Sequence, residues 1–62
     1  MRTIDISGPD GNAFALMGYA RIFALQMGLD SKAIINDMMA GDYEHLLKVF
    51  ENHFGTVVRL ER

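Results

Sequence analysis

The stretch NAFALMGYARIFALQM, residues 12–27, decides the fold because it reads as one helix with almost no polar face. At about 100° per residue, one side of this helix carries Leu16, Ala20, Phe23, Ala24 and Met27. A second apolar stripe on nearly the opposite side consists of Phe14, Met17, Gly18 and Leu25, with Arg21 set into it. A helix that is apolar all round is normally buried in a large protein or in a membrane. We therefore expect the Leu16 side to face the core and the other stripe to face a second chain.

The remainder of the chain is too short to cover both sides of such a helix. It has 62 residues, half of them hydrophobic, and a domain of this size buries only about 60% of the surface that its unfolded chain exposes. Small domains usually gain stability from disulfides, a metal or oligomerisation. The chain has no cysteine, which excludes disulfides and thiolate metal ligands. We expect one domain, residues 1–62, stabilised by good packing, by a second copy of the chain, or by both.

The two ends of the chain are predicted to form strands. Arg2–Ser7 and Thr56–Glu61 both alternate apolar and polar residues, the pattern of a half-buried strand. The side chains expected to share a face within each strand are Ile4 and Ile6 in the first, and Val58 and Leu60 in the second. A contact between Asp5 and Arg59 would support the pairing of the strands. The pattern leaves open whether they run parallel or antiparallel.

Two shorter helices are predicted between the first helix and the second strand. Gly28 is a natural left-handed end for the first helix, Ser31–Ala40 forms the second, and Asp42 caps a third over Tyr43–His53. Their predicted apolar faces are Ile34, Ile35, Met38 and Met39, followed by Tyr43, Leu46, Leu47, Phe50 and Phe54. The sequence therefore predicts an α+β fold of order β-α-α-α-β, with three helices packed on a two-stranded terminal sheet.

Charge and hydropathy argue against nucleic-acid and membrane binding. The formal net charge is −2 and the six lysines and arginines are scattered, whereas phosphate backbones reward clustered cations. The second and third helices resemble a helix-turn-helix in outline, but Lys48 is the only fixed cation of the third. The longest apolar stretch is interrupted by Arg21 and Gln26, so we do not expect it to span a membrane. With no basic segment leading into an apolar one at residue 1, we expect no secretory signal and a cytoplasmic protein.

The turn between the first strand and the first helix is a candidate ligand site. Backbone amides at the start of a helix gather anions, and a nucleotide-like ligand would meet Gly8, Asp10, Gly11 and Asn12. However, the lysine and hydroxyl residue of a P-loop are absent, no G-x-G-x-x-G spacing occurs, and the carboxylate of Asp10 repels anions. We therefore favour the interpretation that this segment is a tight strand-to-helix turn.

The titratable residues near the third helix do not form a recognisable catalytic or metal-binding pattern. His45 and His53 are eight residues apart, whereas metal-binding histidine pairs on a helix prefer a spacing of four. Asp42 and Glu44 lie nearby, but a contact between Asp42 and His45 at the start of the helix is a purely structural alternative. We expect no catalytic residues, no metal, no cofactor and no enzymatic activity.

Arg21 and the methionines have two interpretations each. Arg21 stands on an apolar stripe, either with its stem covering that stripe and its head in water or as an interface anchor. Gly18 in mid-helix costs about 1 kcal/mol relative to alanine, so we expect it to admit a close neighbour, of the same or another subunit. Among the five methionines, Met27 and Met38 are assigned to the core, and Met17 is the better candidate for an adaptable surface.

Two strings of the sequence resemble a known group of proteins. SGPDGNAFALMGYA and MMAGDYEHLLKVFENHFG are similar to short, mostly uncharacterised proteins encoded by bacteriophages and bacterial mobile elements. The resemblance covers nearly the whole chain and depends on its GP-x-GN-x-F and GDYEHLL-x-VF patterns. It implies a small protein made in a bacterial cell that binds or blocks a host component, and it supplies no catalytic residues.

Two functions of different classes follow from these observations. The leading hypothesis is a non-enzymatic protein-interaction module, a homodimer with Phe14, Met17, Arg21 and Leu25 forming or bordering the subunit interface. Its acidic residues would then face a basic protein partner; they are Asp37, Asp42, Glu44 and Glu51. The alternative is a protein that binds or sequesters a nucleotide-like ligand at sites between subunits, because a chain this small has no deep pocket of its own.

Overall fold

The computed structural model describes residues 2–61, apart from the side chain of Asp10. The chain begins with strand β1 (Arg2–Asp5) and a 3-10 turn at Pro9–Gly11. Helices α1 (Ala13–Met27), α2 (Ser31–Met38) and α3 (Tyr43–Phe54) follow, and strand β2 (Val58–Glu61) is the last described element. The predicted α+β fold of order β-α-α-α-β is confirmed.

Each helix begins at a side chain that accepts a hydrogen bond from the first helical turn. Asn12 accepts from the backbone N–H of Ala15, Asp30 from that of Ala33, and Asp42 from that of His45. Such caps satisfy amides that have no partner within the helix. Helix α1 ends at Gly28, whose φ of 73° is the predicted left-handed conformation. Helix α2 ends at Met38, so its predicted extension to residue 40 is wrong.

The two strands are parallel, and the three helices between them supply the long connection that this orientation needs. Antiparallel neighbours need only a tight turn, whereas parallel ones need a long connection. The register places Arg2 opposite Val58, Thr3 opposite Arg59 and Asp5 opposite Glu61. The predicted contact between Asp5 and Arg59 is therefore wrong. Arg59 instead lies beside Glu61 on its own strand, with 3.5 Å between Nε and Oε1.

The core lies between the inner side of α1, the other two helices and the sheet. Four of the five predicted α1 residues, Leu16, Ala20, Phe23 and Ala24, are buried, together with Ile4 of β1 and Val58 of β2. Three rings meet in this core: the centroids of Phe50 and Phe54 are 5.1 Å apart, and those of Phe23 and Phe54 are 5.9 Å apart. The prediction for Met27 is wrong, since its position in the last turn leaves it 42% exposed.

The faces of α2 and α3 differ from the prediction near the turn between them. Ile34, Met38, Leu46, Leu47, Phe50 and Phe54 are buried as predicted, but Met39 and Tyr43 are exposed. These two residues flank the turn between α2 and α3. Val49 is buried although it was not predicted to be. Helix α3 packs against α1, α2 and β2, and this wider contact covers Val49.

Candidate protein-interaction surface

The outward side of α1 carries large apolar side chains that the other described residues leave largely exposed. Phe14 is 83% exposed and Leu25 is 65% exposed, and Arg21 between them is also exposed. Met17 is half-buried and packs against the core. The structure thus places three of the four predicted interface residues at the surface and puts Met17 at the boundary with the core. Ile22, which was not predicted, is exposed on the same outward side.

Gly18 lies in the middle of this outward side and has open space around it. Apart from its chain neighbours and the backbone of α1 itself, no described atom lies within 4 Å of the position that a Cβ at residue 18 would occupy. Glycine costs about 1 kcal/mol relative to alanine inside a helix. Packing among the described residues of the subunit therefore does not account for the glycine. Of the two neighbours that the sequence left open for Gly18, the one within the same subunit is wrong.

A shallow groove of about 240 Å³ lies beside the outward side of α1, where the start of this helix meets the turn between α2 and α3. Its apolar walls include Met17, Met38, Met39, Tyr43 and Leu46. Three methionine side chains make these walls adaptable in shape, because methionine is unbranched and polarizable. Sequence reasoning missed the groove because its walls are far apart along the chain and meet only after folding.

Tyr43, one of the walls of the groove, is held in place by a hydrogen bond to the turn before α1. Its hydroxyl donates a hydrogen bond to the carbonyl oxygen of Gly11. Gly11 is itself buried, and a Cβ at this position would lie 1.9 Å from the carbonyl oxygen of Ile6. Only glycine allows this close approach of two backbone segments. The start of α1, and with it the position of Phe14, is thereby held against α3.

In the predicted ligand site at the turn, several N–H groups already donate hydrogen bonds to nearby backbone carbonyls. The N–H of Gly8 donates to the carbonyl of Asp5, and the N–H of Gly11 donates to the carbonyl of Gly8. The side-chain amide of Asn12 donates to the carbonyl of Pro9 at 2.6 Å while its oxygen caps α1. The side chain of Asp10 lies outside the described residues. No contact in the described part of the turn favours a bound nucleotide, so the site stays a prediction.

The titratable residues around α3 form structural contacts. The ring Nε2 of His45 lies 2.9 Å from the carbonyl oxygen of Asp37 and 3.4 Å from its carboxylate, which joins α3 to α2. The predicted contact between His45 and Asp42 exists as the backbone cap of α3, at 2.9 Å. The ring of His53 lies 6.0 Å from that of Phe54. Within residues 2–61, no three His, Asp or Glu side chains gather into a group that could hold a metal ion.

The carboxyl group of Asp5 has a lowered pKa. The hydroxyl of Ser7 donates to Asp5 Oδ1 at 2.6 Å and the N–H of Ser7 donates to the same oxygen at 2.9 Å. Both bonds favour the ionised form and lower the pKa of Asp5 from its ordinary value, the hydroxyl contributing most. This is a local turn contact at the end of β1, and neither residue lines the groove.

None of the helices in the described range, 2–61, has both the length and the apolar content needed to cross a membrane. Comparison of the chain with protein-family models, with curated proteins and with solved structures finds no match. The resemblance to proteins of bacteriophages and mobile elements is therefore neither supported nor contradicted and stays a prediction.

Proposed function

We propose that this protein is a non-enzymatic protein-interaction module that acts as a homodimer. The observation that carries the proposal is the exposed apolar side of α1, where Phe14 is 83% accessible to solvent. Covering a side chain of this size contributes about 1.5–3 kcal/mol. Contiguous apolar surface of this kind marks protein contacts in folded chains. Arg21 fits the same proposal, because arginine is enriched at interfaces together with aromatic residues and methionine.

The proposed biological role is to bind a host protein after dimerisation. Asp37, Asp42, Glu44 and Glu51 are exposed on α2, on α3 and in the turn between them. They would attract a basic surface on the partner and accelerate the encounter. The resemblance to proteins of bacteriophages and mobile elements suggests a bacterial component as that partner.

The test of dimerisation is the molar mass in solution, measured by size-exclusion chromatography with light scattering across a dilution series. We expect twice the chain mass of 7.0 kDa at high concentration, and the chain mass for Phe14→Glu and Arg21→Glu. Lys48→Glu, on the exposed side of α3, is the matched charge-reversal control and should leave the dimer intact. A wild-type chain that stays monomeric throughout would contradict the homodimer. Arg21→Glu with unchanged mass and partner binding would contradict the interface assignment.

The host partner is tested by affinity capture from a bacterial lysate with the wild-type dimer as bait. The matched bait is a chain in which Asp37 and Glu51 are changed to asparagine and glutamine, which removes two exposed carboxylates without touching α1. We expect a basic protein that is retained by the wild-type bait and lost from the variant. Equal capture by both baits would contradict an acidic partner-binding side.

A further inference from the structure

Phe14 and the methionine-lined groove belong to one continuous surface. Phe14 and Met17 are three residues apart on α1 and are therefore neighbours on the helix surface. Met17 is also a wall of the groove. Phe14 does not enter the groove of its own chain, because it is almost fully exposed. The subunit thus presents a projecting aromatic ring next to an apolar depression, both on the same side.

We infer that two copies of the chain associate with Phe14 of each copy seated in the methionine groove of the other. This inference rests on the proposed homodimer and specifies how its two surfaces meet. A two-fold dimer uses the same patch on both subunits. When that patch carries both a ring and a groove, the ring of each copy can occupy the groove of the other. An aromatic anchor buried in a partner's pocket is a typical centre of binding energy. Methionine walls adjust to the shape of the inserted ring.

Charge complementarity supports a second copy as the occupant and an antiparallel crossing of the two α1 helices. Residues 13–27 contain Arg21 and no carboxylate, so a carboxylate that faces Arg21 across the interface comes from outside α1. It lies two turns beyond Phe14, about 10 Å along the helix. In an antiparallel crossing, Arg21 of one copy extends past the groove of the other towards Asp42, which lies at the groove rim.

One subunit has enough surface for an interface of standard size. A standard interface removes about 800 Å² from each partner, which is about a fifth of the 4051 Å² that one subunit exposes. The apolar surface runs along most of α1, which is about 22 Å long, and continues over Met39 and Tyr43 beside the groove. Phe14, Ile22, Leu25, Met39 and Tyr43 are the exposed apolar residues that such an interface would cover.

The decisive experiment detects contacts between copies without changing the sequence. Chains labelled at the methionine methyl groups with carbon-13 are mixed with unlabelled chains, and isotope-filtered nuclear Overhauser effects are recorded. We expect signals between the Met39 and Met17 methyl groups and the ring of Phe14 in the other copy. A dimer whose filtered signals omit these pairs would overturn this inference and leave the homodimer standing. A monomer at all concentrations would overturn both.

A matched pair of methionine substitutions provides the second test. Met39 and Met27 are both exposed, but only Met39 lines the groove. We expect Met39→Glu to weaken dimerisation by about tenfold or more, and Met27→Glu by less than about threefold. Helical circular dichroism confirms that both chains are folded. Equal effects of the two substitutions would contradict insertion of Phe14 into the groove.

Discussion

The hydroxyl of Tyr43 donates a hydrogen bond to the carbonyl oxygen of Gly11, a residue 32 positions earlier in the chain. This bond joins the first turn of α3 to the turn that precedes α1. Tyr43 lines the groove, and Gly11 lies two residues before Ala13, another lining residue, so the bond connects two walls of the groove. It links two segments that are far apart along the chain.

Replacement of Tyr43 by phenylalanine is predicted to lower the free energy of unfolding by about 0.5–1.5 kcal/mol. It removes the donor and leaves the half-buried carbonyl of Gly11 without its partner, while the ring is retained. Chemical denaturation followed by circular dichroism measures the change. Tyr19→Phe is the matched control, because the Tyr19 ring stacks on Phe23 and its hydroxyl has no hydrogen bond among the described residues. Equal losses in the two variants would contradict the prediction.

Alanine substitution at Phe54 and at Phe14 is predicted to distinguish a core residue from a proposed interface residue by its effect on stability. Phe54 is fully buried and Phe14 is largely exposed. In dilute, monomeric protein, Phe54→Ala is predicted to cost about 3–5 kcal/mol, enough to unfold much of a chain this small. Phe14→Ala is predicted to change the free energy of unfolding by less than about 0.5 kcal/mol. Thermal unfolding at low concentration measures both, and a large loss for Phe14→Ala would show that its ring packs inside the subunit.

Local patterns along the chain were enough to predict the order of elements and most of the core. Alternation at both ends predicts the strands, and Asn12, Asp30 and Asp42 precede helices where capping residues are expected. Apart from Val49, the errors in the predicted apolar faces lie at helix ends. Met27 and Tyr43 fit the apolar periodicity of their helices, but the last and first turns extend past the neighbours that would cover them.

The direction of the strands and the groove required the three-dimensional structure. Alternation of apolar residues is the same for parallel and antiparallel pairs, so it does not reveal that Asp5 lies opposite Glu61. The groove combines Met17 with Met39 and Tyr43, and no short-range pattern links residues so far apart. The exposed stripe of α1 was predictable because a single helix carries it.

Two glycines are predicted to respond to alanine in opposite directions. At Gly11 the added methyl group would collide with the backbone of Ile6, which has no side-chain rotamer to move away, so Gly11→Ala is expected to destabilise the fold strongly. At Gly18 the space is open, and Gly18→Ala is expected to stabilise the dilute monomer by up to about 1 kcal/mol. Denaturant titration of both variants measures the difference. Destabilisation by Gly18→Ala in the monomer would indicate a neighbour within the subunit.

The hydrogen bonds from Ser7 predict a pH dependence at the end of β1. They lower the pKa of Asp5 in the folded chain, so they stabilise the fold at pH values above the ordinary aspartate pKa of about 3.9. This contribution is lost as the pH falls through the lower, folded-state pKa, because the protonated carboxyl accepts these bonds less well.

Ser7→Ala removes the hydroxyl bond and retains the backbone bond at 2.9 Å. The pKa of Asp5 is therefore predicted to rise part of the way towards its ordinary value, as read from its carboxyl carbon-13 shift in an NMR titration. Thr3→Ala is the matched control, because it removes a hydroxyl from an exposed residue of β1, the strand that contains Asp5. It should leave the pKa of Asp5 unchanged. If Ser7→Ala leaves the titration curve of Asp5 unchanged, the hydroxyl is not the cause of the lowered pKa.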